Sequence, residues 1–121
     1  MFRTTANIMI TQTTVFTRPD TSLPWMNDDP AMQDYLAPRD GLVNSRPDLV
    51  SQAPRVESPD GLTCTTVQTF PSIDEYNTYV ALLKQAIPGW PVGRNQYFTD
   101  RGHTINIRVT GDGVNIVYTA A

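Results

Sequence analysis

The chain has 121 residues, a formal net charge of -3 and 40% hydrophobic residues. That length predicts one domain, and the acidic balance, with a sequence pI of about 4.8, argues against a clustered basic surface for nucleic acid. The single cysteine, Cys64, excludes an intrachain disulfide framework and a cysteine-built metal site, and no run approaches the roughly 18 apolar residues of a membrane-crossing helix. Arg3 is not followed by an apolar stretch of signal-peptide length. The expectation is a soluble, unprocessed chain that does not insert into membranes.

Residues Ala6 to Thr17 are rich in β-branched side chains and lack Gly and Pro, which predicts a long strand. Ile8, Ile10 and Phe16 share one face with Gln12 and Thr14 between them, while Met9, Thr11, Thr13 and Val15 share the other. Neither face is cleanly apolar. Such a strand suits a sheet edge, or a sheet shared between chains.

From Arg18 to Pro59 the composition changes. Seven of the ten prolines fall here, and their spacing predicts no long helix and no central strand. Asp28 to Leu36 can hold a short helix, with Asp28 or Asp29 as cap and Pro30 in the first turn. The rest reads as an extended arm. Trp25, Met26, Tyr35, Leu42, Val43, Leu49 and Val50 are too many apolar groups for a simple linker, so the arm is expected to order against partners.

After Asp60-Gly61 the pattern becomes regular. Leu62 to Phe70 reads as a strand. The segment from Phe70 to Pro88 is the one clear helix, with Ser72 and Glu75 as a capping box, acidic Asp74 and Glu75 in the first turn, and Ile73, Tyr76, Val80, Leu83 and Ile87 on one face. Asn95 to Thr99 reads as a short strand, Asp100 to His103 as a hairpin turn, Thr104 to Thr110 as an alternating strand, Gly111-Asp112-Gly113 as a second turn and Val114 to Thr119 as the last strand. The expected fold class is α+β: a small antiparallel sheet of order β-α-β-β-β with one covering helix, preceded by a long N-terminal strand and an extended Pro-rich arm. The expected division is residues 1–59 for strand and arm, and 60–121 for the compact module.

No catalytic constellation stands out. A reactive Cys64 needs a neighbouring base, and the only histidine, His103, falls in a predicted exposed turn. Asp100, Arg101 and His103 have ordinary turn composition. Asp28, Asp29 and Asp34 match no calcium-loop spacing, and Gly89-Trp90-Pro91-Val92-Gly93 lacks the helix that should follow a phosphate loop. No metal or cofactor is therefore expected. Trp90 reads as a core cap or an interface anchor, and Ile10, Phe16, Trp25, Met26 and Tyr35 join it as candidate interaction residues.

Ile10 to Pro19 and Val67 to Tyr79 together resemble, in manner, the small virion structural proteins of tailed bacteriophages. That resemblance implies an assembly component of tail, baseplate or neck, not an enzyme. It also implies other protein subunits as partners, in homo- or hetero-oligomers, and residence in the virion after synthesis in the host cytoplasm, with a cytoplasmic location as the alternative. The alternative is a small dimeric α+β barrel enzyme or ligand-binding domain. Tyr76, Tyr79 and His103 would then be its pocket groups, although no second helix is expected.

Overall fold

The computed structural model describes residues 8–120; Ala6 and Asn7 of the expected first strand lie outside them. The described elements are β1 (Ile10–Thr17), two 3-10 turns (Met26–Asp28 and Pro30–Met32), α1 (Gln33–Ser45), β2 (Ser51–Gln52), β3 (Val56–Glu57), β4 (Thr63–Phe70), α2 (Ile73–Ala86), α3 (Val92–Arg101), β5 (Thr104–Gly111) and β6 (Val114–Ala120). The fold is α+β, with a six-stranded antiparallel open sheet and three helices, consistent with the expected class.

The strand order is β2-β4-β1-β5-β6, with β3 also pairing β4. β1, expected at an edge, lies between β4 and β5 instead. Its register sets Ile10 opposite Phe70, Gln12 opposite Gln68 and Val109, Thr14 opposite Thr66 and Ile107, and Phe16 opposite Cys64 and Ile105. Side chains alternate across a strand, so these residues share the face that the helices cover. Thr11, Thr13, Thr65, Thr69, Asn106 and Arg108 occupy the other, more hydrated face.

Two apolar clusters cement helices to sheet. One joins Ile10, Phe70 and Val109 to Tyr79, Leu83 and Ile87 at α2 and to Leu49 and Val50. The other joins Phe16, Cys64 and Ile105 to Tyr97 and Phe98 of α3 and to Trp25, Met26 and Leu36. Burying a large side chain in such a cluster contributes about 1.5–3 kcal/mol. The Pro-rich segment thus supplies core residues, and much of what reads as an extended arm is helical. Pro38 sits inside α1, where local rules disfavour it. Packing offsets that cost: Leu36 is buried in the second cluster, and Leu42 and Val43 pack against the first.

α2 begins as its sequence predicts. Ser72 accepts a hydrogen bond from the Asp74 amide at 3.3 Å, and its hydroxyl donates to Glu75. The segment expected as a strand at Asn95 to Thr99 is helical. Arg94, Tyr97 and Phe98 are its buried residues, at i, i+3 and i+4. The expected hairpin turn is instead the helix end, where Gly102 takes a left-handed conformation (φ 69°). His103 follows and is fully buried, not exposed.

Candidate ligand-binding site

The covered face of the sheet is apolar at both ends and polar in the middle. Between the two clusters lie Gln12 and Thr14 of β1 and Thr66 and Gln68 of β4. Thr14 and Thr66 are only 6% and 8% exposed. Polar groups at interior sheet positions cost free energy unless they have partners. Here they line a cavity of about 270 Å³ between sheet and helices.

Its floor is an amide ladder. Gln12 Nε2 donates to Gln68 Oε1 at 3.4 Å, and Gln68 Nε2 donates to Gln52 Oε1 at 3.0 Å. α2 brings Tyr76, Tyr79, Val80, Leu83 and Lys84 to the wall, at the i, i+3, i+4, i+7 and i+8 positions of one helical face. Burial raises the Tyr79 pKa, and a hydrogen bond with Gln68 partly opposes it. Ile107, Ile116 and Tyr118 complete the sheet side. A wider recess of about 690 Å³ shares Asn27, Arg39, Gln52 and Thr66 with this cavity. Arg39 donates to Asn27 Oδ1 at 3.0 Å and pairs with Asp40 at 2.9 Å.

Arg94 enters from the first turns of α3 and is 8% exposed. Its guanidinium lies 5.2 Å from the Trp90 ring centroid and 5.5 Å from that of Tyr118, within cation–π range. Arg94 Nε donates to Asn95 Oδ1 at 3.2 Å, while Asn95 Nδ2 donates to the Tyr118 hydroxyl oxygen at 2.5 Å. One amide therefore braces both groups. Burial pulls the Arg94 pKa down; the Tyr118 hydroxyl opposes that shift and nearby Arg39 adds to it. Trp90 stacks on Tyr35 at 6.0 Å.

Of the sequence-expected interaction residues, Ile10, Phe16, Trp25 and Met26 are buried within the chain's own core. Tyr35 and Trp90 are partly buried and stack on each other beside the cavity. Of the pocket groups the alternative named, Tyr76 and Tyr79 line the cavity. His103 does not; it sits in the other cluster's aromatic shell, 6.4 Å from Trp25 and 5.8 Å from Tyr97. Cys64 is a buried free thiol whose pKa is raised by burial, the opposite of nucleophile activation. Among the described residues no cluster of His, Cys, Asp and Glu can hold a metal, and no helix is long and apolar enough to cross a membrane.

Sequence reasoning missed Gln12, Gln68, Thr66 and Arg94. The available signal was the mixed face of β1. Read as an edge strand, it is the central floor of a cavity.

No family model and no curated protein matches the chain. Among solved structures, one described as a phage SAM lyase in the apo state is similar at TM-score 0.42 and 17% identity, covering 100% of this chain and 95% of that one. Another, described as a phage SAM lyase in complex with S-methyl-5'-thioadenosine, is similar at TM-score 0.37 and 13% identity over the same shares. Both descriptions name a phage enzyme. The expectations of a virion structural component and of a non-enzyme are corrected accordingly.

Proposed function

We propose that the chain is a small α+β ligand-binding domain of enzyme type, whose ligand occupies the cavity between sheet and helices. The observation that carries this reading is the polar stripe of Gln12, Thr14, Thr66 and Gln68, facing a cavity of about 270 Å³ on the sheet face where folding alone favours apolar packing. Apolar walls with a few converging polar groups are the usual make-up of a small-molecule site. α1 and α3 supply the additional helices that the alternative sequence reading lacked.

A metabolite panel screened by thermal shift tests the reading, with Thr66→Leu as control. Leucine extends into the cavity at a buried position. At least one small molecule is expected to raise the melting midpoint of the natural chain, and the same molecule should have little effect on a folded Thr66→Leu variant. If no compound stabilises the chain, or if the variant responds equally, the ligand lies elsewhere or the reading is wrong.

A further inference from the structure

The cavity walls carry an unbalanced charge. Among the described residues that line it are Arg39, Lys84 and Arg94, and neither Asp nor Glu. The chain as a whole has more acidic than basic residues, 12 against 9, so a lining with cations alone is not a reflection of composition. Arg39 has Asp40 as an outside partner, and Lys84 is exposed. Arg94 differs from both. It is 8% exposed and belongs to none of the ion pairs found among the described residues. Its hydrogen bond among the described residues goes to the neutral Asn95, and the ring of the neutral Tyr118 lies beside it.

A buried cation without an anion is costly, because the charge leaves water and gains no Coulombic compensation. The aromatic faces of Trp90 and Tyr118 offset only part of that cost. Asn95 occupies the Nε edge of the guanidinium. A guanidinium presents a planar fork of donors matched to two oxygens of one oxyanion. Beside it, Ile107, Ile116, Trp90 and Pro91 provide an apolar wall.

We infer that the cavity takes a small organic anion, its carboxylate or phosphate group held by Arg94 between Trp90 and Tyr118 and its apolar body against the Ile107 side of the sheet. This rests on the ligand-binding reading above and adds the ligand's charge. The amide ladder of Gln12, Gln68 and Gln52 is left to match neutral polar groups on the body. Arg39 and Lys84 contribute positive potential at the wall, which favours entry of an anion.

Three probes of similar size test this on the full chain by calorimetric or NMR titration: phenylacetate, phenyl phosphate and the neutral phenylacetamide. At least one anion is expected to bind about tenfold or more tightly than the amide, equivalent to about 1.4 kcal/mol. The tighter of the two anions identifies the head group. Arg94→Gln should abolish the preference, and Arg94→Lys, which keeps the charge, should retain part of it. The comparison of acid with amide on the natural chain needs no variant, so it decides the question even if Arg94→Gln does not fold. If the amide binds as well as both anions, the anion inference is overturned while the cavity reading stands. If neither anion binds at millimolar concentration, the inference also fails, and the metabolite panel decides the wider reading separately.

Discussion

His103 is fully buried, and neither of its ring nitrogens has a hydrogen-bond partner among the described residues. Burial, with positive charge on Arg101 and Arg18, holds its pKa below the ordinary 6.5. As pH falls through about 6.5 the unfolded chain takes up this proton before the folded one does. The unfolded state then binds more protons, so stability is complete above that value and declines as pH drops toward the depressed folded pKa. The melting midpoint is expected to fall over this window in the natural chain, and less so in His103→Leu. Equal pH slopes would assign the acid sensitivity to other groups. Tyr97 makes a different kind of buried polar contact. Its hydroxyl donates to Asp29 at 2.7 Å. That bond, the Ala31 amide and the nearby Arg101 hold the Asp29 carboxyl below its usual pKa, while burial and Asp29 push the Tyr97 phenol up to about 12. Hydrogen bonds to charged groups contribute about 1.5–3 kcal/mol, so Tyr97→Phe should lose stability on that scale in denaturant titration. A loss of only a few tenths would mean that solvent already satisfies Asp29.

Among the elements, α3 shows best how a site hides a structure. Its buried face is Arg94, Tyr97 and Phe98, with Arg101 one turn further on. An arginine at a core-facing position breaks the apolar period that marks a helix, and the remaining Tyr-Phe-Thr run then reads as a strand. α2 has no such intrusion, and its cap, acidic first turn and apolar face were all legible. Ser72→Ala should accordingly cost about 1 kcal/mol; an unchanged melting midpoint would argue that the observed cap bonds are idle. Within α3, Gly93 is set by packing. A Cβ there would lie 2.7 Å from the Cζ and hydroxyl oxygen of Tyr35. Glycine to alanine in a helix ordinarily stabilises by up to about 1 kcal/mol. Here Gly93→Ala is expected to destabilise, by about 1–3 kcal/mol, because the Tyr35 ring, stacked on Trp90, must shift to admit the methyl group. In a Tyr35→Leu background the same substitution should be neutral or stabilising. A four-variant cycle without that change of sign would show that the ring yields freely.

At the scale of the molecule, α+β class and antiparallel pairing were readable from strand alternation and turn glycines. The long-range layout was not. Nothing local in Ile10 to Thr17 says that the first strand inserts between β4 and β5, because that choice is made by pairing over large sequence separations. The Pro-rich segment misled for a related reason: Pro38 argues locally against a helix, and the tertiary contacts of Leu36 and Leu42 override it. The expected boundary at Asp60 can now be tested against this layout. A fragment of residues 60–121 lacks the strand joining β4 to β5 and the core contributions of Trp25, Met26, Leu36, Leu49 and Val50. It is expected to show no cooperative thermal transition, and a folded monomeric fragment would contradict the account of the core. The central claim is that the mixed face of β1 is polar because it lines a ligand cavity. Amide chemical-shift mapping tests it most directly, by titrating the full chain with the compound that most raises its melting midpoint. The account predicts shifts concentrated at Gln12, Thr14, Thr66, Gln68, Ile107 and Arg94. Shifts confined to segments remote from that stripe, such as the Asp112 turn or the Pro59-Asp60 bend, would place the ligand elsewhere and leave the polar stripe without the role assigned to it.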